Sequence, residues 1–313
     1  MKKISYVLAF LVIGTVIFFM SDFRGTSDYC LIGAFIADKP TKENIEDFQV
    51  SFGKKPYVVM VFVDWDNFVD GKVIRDVYAE ECVLMVTWEP WYAVDKRGID
   101  YNAILTGNMD SYIRDFAKKL KRINKPVFLR FAHEMNGDWY PWSASKIGAE
   151  KYIAIYRHIK DIFDDINADN VRWVFSINSE NVPRENNYTD CYPGDGYVNF
   201  IGMDGYNWGN TKPWSKWVSF KEIFQKRCNE ITTHFKKPII ISEFSTTSSG
   251  GDKAAWIRDA MANIKEMKKI KAFVLFNLDK ETDWSFPIDK DYGKELRSQL
   301  SDNYFKDKGG LDD

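Results

Sequence analysis

Lys125-Pro126-Val127-Phe128-Leu129-Arg130-Phe131 runs straight into Ala132-His133-Glu134-Met135-Asn136-Gly137-Asp138-Trp139, and this stretch decides the fold. Near-continuous apolar character marks a strand buried on both faces, as in a parallel sheet. The proline opens the strand, where no ladder donor is lost. Upstream, Asp110 to Arg122 repeats Tyr112, Ile113, Phe116, Ala117 and Leu120 at helical spacing; downstream, Glu150 to Phe163 is a second amphipathic stretch. Helix, strand, helix is the grammar of a βα fold.

The unit recurs along the chain. Leu31 to Ile36, Tyr57 to Val63, Cys82 to Trp88, Val171 to Asn178, Asn199 to Tyr206, Ile239 to Phe244 and Ala272 to Asn277 are seven further β-rich runs. Lys55-Pro56 and Lys237-Pro238 echo Lys125-Pro126 just before two of them. Lysines at 118–119, 236–237 and 268–269 are expected at helix ends, where they complement the dipole. Eight such units predict one α/β domain, a (β/α)8 TIM barrel, with a doubly wound open sheet as the alternative. In a barrel the chemistry sits at the C-terminal ends of the strands.

Composition narrows the function. With 43 basic and 45 acidic residues the net charge is −2, which leaves no basic stripe for a phosphate backbone, so nucleic acid is not an expected partner. At 45% hydrophobic and 28% charged, the chain is neither disordered nor a disulfide-stapled mini-fold. The 11 Trp, 16 Tyr and 23 Phe make it aromatic-rich.

Lys2 and Lys3 precede an apolar run from Ile4 to Met20. The run exceeds the roughly 7–15 residues of a signal-peptide core, and Ser21-Asp22-Phe23-Arg24 offers no small-x-small cleavage site. Residues 1–26 therefore read as a transmembrane signal-anchor in preference to a cleaved signal peptide, with the lysines cytoplasmic. Residues 27–313 are expected to be exported, either held at the outer face of the cell membrane or secreted, and monomeric. Cys30, Cys82, Cys191 and Cys228 show no metal-like spacing; they are expected as free, buried thiols, although three full disulfide pairings stay open.

Two strand ends carry glutamates, Glu134 and Glu243. Glycoside cleavage needs two carboxyl groups across a cleft, one protonated to release the leaving oxygen and one ionised. His133-Glu134 opens a zincin motif, but its second histidine would fall at Gly137, and no G-x-S-x-G occurs. No metal or cofactor is expected. Trp65, Trp88, Trp91, Trp139, Trp142, Trp208 and Trp284 end or follow predicted strands on the same face, with Trp214 and Trp217 in the loop after strand six. Flat aromatic rings pack against the apolar C–H faces of sugars, so this face reads as a carbohydrate site.

Thr87-Trp88-Glu89-Pro90-Trp91, Arg130 to Gly137, Gly202-Met203-Asp204-Gly205-Tyr206-Asn207-Trp208, Pro238 to Phe244 and Phe276 to Trp284 together resemble glycoside hydrolase family 26, the endo-β-mannanases and related β-glucanases. The resemblance spans residues 31 to about 290. It implies Glu134 as acid/base and Glu243 as nucleophile of a retaining endo-β-1,4-glycanase acting on β-glucan or β-mannan. It makes His133, Tyr206 and Arg130 supporting residues, with Asn136, Asp204, Asn207 and the tryptophans contacting substrate. Two departures bear on substrate: Ser285 follows Trp284 where many mannanases carry arginine, and Ala132 stands where the family commonly has a first histidine. The arginine loss makes β-glucan at least as plausible as mannan. A catalytically silent carbohydrate-binding barrel is the alternative function.

Overall fold

The computed structural model describes residues 29–309. Eight parallel strands follow the chain: β1 Cys30–Phe35, β2 Val58–Val63, β3 Val83–Trp88, β4 Val127–Phe131, β5 Val171–Asn178, β6 Phe200–Asn207, β7 Ile239–Thr246 and β8 Ile270–Phe276. Each pairs with the next, and β8 returns to β1, with Leu31 opposite Ala272 and Phe35 opposite Phe276. The sheet is therefore a closed barrel, and the open-sheet alternative is excluded. A short strand at Phe305–Lys306 adds to β1 from outside.

The helices are α1 Lys42–Phe52, α2 Gly71–Ala79, α3 Tyr101–Leu105, α4 Asp110–Ile123, α5 Ala144–Ile147, α6 Ala149–Asp165, α7 Phe220–His234, α8 Lys253–Glu266 and α9 Asp291–Leu300. Thr41 and Ser219 close capping boxes at α1 and α7, satisfying donors that the first turn leaves free. One unit departs from the expected pattern. Between β5 and β6 the described residues form two short 3₁₀ turns, Tyr188–Cys191 and Asp195–Tyr197, in place of an α-helix. Lys236-Lys237 and Lys268-Lys269 lie just past the ends of α7 and α8 rather than in their last turns.

Alternation along each strand divides the core. Leu31, Val58, Met60, Val83, Met85, Phe128 and Val174 fill the barrel interior, whereas Ile32, Val59, Leu84, Val86 and Leu129 pack outward beneath the helices. Trp88 shares the outward parity of Leu84 and Val86. It is fully buried, stacked on Phe116 of α4 at 4.0 Å and on Trp65 at 4.9 Å. Trp65 and Trp88 thus belong to the sheet–helix layer. The period-2 pleat turns Trp88 away from the barrel mouth, which corrects the expectation that these two rings face sugar.

All four cysteines are buried free thiols. Burial raises the thiols of Cys82 and Cys191 to about 12 and that of Cys228 to about 11. Among the described residues no helix is long and apolar enough to cross a membrane. The expected anchor over Ile4 to Met20 lies outside the described residues.

Candidate active site

Inside the barrel mouth lies one buried cation. Arg130, on the inward parity of β4, is fully buried and donates from Nη1 to Glu243 Oε1 at 2.5 Å and to Thr87 Oγ1 at 3.1 Å. Its Nε reaches Ser176 Oγ at 3.0 Å, and Nη2 pairs closely with Asp204. Met60 Sδ lies 3.6 Å from Nη1. Burial alone would favour loss of its proton, but Asp204 and Glu243 outweigh burial, and the net direction is upward. A buried charge is tolerable only when paired and hydrogen-bonded in this way.

Glu243 owes its direction to a bulge. Met203 of β6 pairs with Ile241, but Asp204 pairs with Glu243, so β7 contains one extra residue at Ser242. The β8 register shows the same slip, Phe273 with Ile241 and Leu275 with Phe244. Ile241 and Phe244 both face the helices, leaving Ser242 and Glu243 consecutive on the inner side. Bulges re-aim side chains in this manner beside active sites. The second carboxylate oxygen of Glu243 accepts from the Tyr206 hydroxyl. Tyr206 rests against Trp284 at 4.9 Å, which stands edge-on to Trp208 at 4.8 Å.

Glu134 is set on strained backbone beyond β4. Ala132 (φ 47°) and Glu134 (φ 54°) both adopt left-handed conformations that non-glycine residues rarely take, at a cost of roughly 1–3 kcal/mol each. The turn is held by Ala132 N to Trp88 O at 3.0 Å and Glu134 N to Ser176 O at 2.9 Å. Glu134 is 8% exposed, and its carboxyl group accepts from Asn178 Nδ2 at 2.7 Å and Trp139 Nε1 at 2.9 Å. Burial first, then the charge of Glu243, raises it from 4.5 to about 7, against the pull of Asn178, Arg130 and Trp139. Glu134 therefore has neutral donors, whereas Glu243 has a guanidinium and a phenol.

Several expected contacts fall elsewhere. His133 is buried and its Nε2 meets Tyr140 Oη at 3.1 Å rather than either glutamate; burial and then Arg130 lower its basicity well below the usual value. Asn136, expected to touch substrate, uses its amide inside the protein, on Asn178 O, Glu180 O and Asn181 Oδ1, and its oxygen accepts from Asn178 N. It fixes the residue that holds Glu134. Asp204 is enclosed with Arg130, and Asn207 bonds Thr246, Gly209 and Val218. These three polar groups have their donors and acceptors satisfied by the fold itself, which corrects their assignment to substrate. Trp142 stacks under Tyr140 at 4.2 Å and is buried, and Trp284 is only 1% exposed, a backing for Tyr206 and Trp208. Trp91 and Trp208 are half-buried, and Trp139 and Trp214 are the exposed tryptophans, at 43% and 72%.

Three neighbours escaped sequence reading. Asn178 is the last residue of β5, and its position at a strand end was the available signal. Glu89, inside the Thr87 to Trp91 motif, is buried, accepts from Trp91 Nε1 at 3.1 Å, and is raised to about 7 chiefly by burial. Tyr140 had no signal, since only the turn at residues 132–137 carries it over His133. Among the described residues no cluster of three or more His, Cys, Asp or Glu side chains is arranged to hold a metal ion.

A (β/α)8 barrel with two buried glutamates held by different donors, Glu134 just beyond β4 and Glu243 within β7, has the layout of a barrel glycosidase. The profile of glycosyl hydrolase family 26 matches residues 35–283, and the chain belongs to that family. It is 40% identical over 299 residues to Endoglucanase H of Acetivibrio thermocellus, covering 91% of this chain but 32% of that protein. Among solved structures, a Bacillus subtilis mannanase superposes with a TM-score of 0.64 at 21% identity, covering 91% and 88% of the two chains. A modular endo-β-1,4-mannanase from Cellulomonas fimi gives 0.66 at 16% identity, covering 89% and 72%.

Proposed function

We propose that this chain is a retaining endo-β-1,4-glycanase in which Glu134 is the general acid/base and Glu243 the nucleophile. The observation that carries the reading is the contrast between the two carboxyl groups. Glu134, raised to about 7, keeps a proton to give near neutrality. Glu243 is oriented by Arg130 and Tyr206, donors suited to a carboxylate.

In the first step Glu243 forms a bond to the anomeric carbon as the glycosidic C–O bond breaks, and the Glu134 proton passes to the departing oxygen. In the second, ionised Glu134 takes a proton from water, the water oxygen bonds to the anomeric carbon, and Glu243 leaves as carboxylate. Two displacements on one carbon retain its configuration. Trp139, half-exposed and bonded to Glu134, supplies a face for a neighbouring sugar ring.

The substrate we assign is a β-1,4-linked or mixed-linkage glucan, hydrolysed at least as well as mannan. Ser285 in place of arginine and the likeness to an endoglucanase support this choice. The signal-anchor over residues 1–26 would hold a monomeric catalytic domain, residues 27–313, at the outer face of the cell membrane; release by cleavage is the other outcome. Reducing-end release from cellulose, lichenan, mannan and xylan tests the reading. Hydrolysis of a glucan supports it, clear preference for mannan overturns the role given to Ser285, and binding without release makes the barrel a silent binder.

A further inference from the structure

Lys253 is the first residue of α8, where a cation opposes the helix dipole, and its side chain is 2% exposed. Among the described residues it makes no salt bridge; the nearby Asp283 carboxylate accepts instead from Thr247 Oγ1 and from Ser248 N and Oγ. A lysine so placed is costly unless its ammonium is used. Nζ donates to the main-chain oxygens of Asp283 and, at 2.9 Å, Ser285, and it sits over the rings of Phe286 and Tyr292 at 4.4 and 4.9 Å. Those carbonyls flank Trp284. The carbonyl of Trp284 itself accepts from Ser245 Oγ at 3.0 Å, and its Nε1 donates to Glu281 at 3.1 Å.

We propose that Lys253 is a positioning residue for hydrolysis, clasping the 283–285 peptides so that Trp284 braces Tyr206, whose hydroxyl holds Glu243. Lys253 is more than 20 residues from Trp284 in sequence and on a different element, so the clasp joins the outer helix layer to the barrel mouth. Asp283 and Asp279 are the acidic groups that favour its charged form, against burial, which lowers it to about 8. Above that pH the carbonyls keep neutral donors but lose the charge-assisted bonds.

This inference rests on Glu243 being the nucleophile. The test compares wild type with Lys253→Met and Lys253→Arg on a glucan oligosaccharide at a temperature where all three are folded. Lys253→Met is expected to lower kcat about tenfold with KM within about twofold, because the brace acts on the attacking group more than on binding. Lys253→Arg, which keeps the cation, is expected to recover most of the loss. Near-ultraviolet circular dichroism should show the Trp208–Trp284 pair altered in the Met variant and restored in the Arg variant. Should Lys253→Met fail to fold, Ser245→Ala, which frees the carbonyl of Trp284 alone, is expected to lower kcat about threefold with KM unchanged. Wild-type kcat in Lys253→Met overturns the clasp, and wild-type kcat in Ser245→Ala overturns the brace of Tyr206 by Trp284 through which the clasp is proposed to act. Absence of hydrolysis by wild type overturns the assigned activity instead, and the dichroism still decides whether Lys253 places Trp284.

Discussion

The buried proton of Glu134 has a consequence for stability that is independent of the role proposed for it. The carboxyl is raised from 4.5 to about 7, so the folded chain binds that proton more tightly than the unfolded chain does. Its contribution is complete below pH 4.5 and is lost as pH rises through 7. At about 1.4 kcal/mol per pH unit, the loss amounts to about 3 kcal/mol by pH 8. Glu134→Gln carries no proton and so has no such loss. It pays a fixed cost of about 1 kcal/mol, because Asn178 and Trp139 both donate to this side chain and an amide accepts at only one end. The variant should therefore be slightly less stable than wild type near pH 4 and about 2 kcal/mol more stable near pH 8. Denaturant unfolding at half-unit steps from pH 4 to 8 measures the difference, and thermal midpoints should cross with a total swing of about 5 °C. A stability difference that stays flat across this range would refute the raised carboxyl. With Glu134 in the proposed role of general acid, wild-type kcat/KM on glucan should fall above pH about 7, as the acid loses the form it needs.

With an activated aryl glycoside, Glu134→Ala plus azide is expected to give the β-glycosyl azide, and Glu243→Ala plus azide the α-azide; reversed products, read by nuclear magnetic resonance, would exchange the two roles. Arg130→Leu should cost about 3–5 kcal/mol in denaturant unfolding, because Asp204 and Glu243 are left buried without their cation; a loss below 1 kcal/mol would show the pairing to be dispensable. Trp88→Ala should cost about 3–5 kcal/mol of stability, whereas half-exposed Trp139→Ala should cost far less and instead raise KM for oligosaccharides. Equal effects of the two on KM would return Trp88 to the substrate face.

Most of the barrel was legible because its strands are apolar throughout. Val127–Phe131 and Val171–Asn178 coincide with the structure residue for residue, and others shift by a residue or two at their ends. The missing helix between β5 and β6 had a signal that the repeating βα pattern overrode, since residues 179–199 are polar and turn-rich without any helical period. Within the site, position at a strand end singled out Glu134 and Glu243 as candidates but could not say where a tryptophan points. Thr87 and Trp88 are adjacent at the end of β3, yet the pleat sends one to Arg130 and the other to Phe116. A bulge such as that at Ser242 breaks the period that such reading depends on. Buried asparagines raise a different difficulty: Asn136 and Asn207 have the chemistry of sugar ligands, and only three-dimensional contacts show their hydrogen bonds already made within the chain.

Arg130 draws its partners from Met60, Thr87, Ser176, Asp204 and Glu243, which lie on β2, β3, β5, β6 and β7. The charge balance of the site is thus settled among strand residues, beneath the loops that make the outer walls. That separation confers modularity. The loop carrying exposed Trp214 is expected to accept exchange or lengthening while Glu243 keeps its counter-ion. Redesign of specificity in this scaffold should begin at the loops and leave these five strand partners untouched.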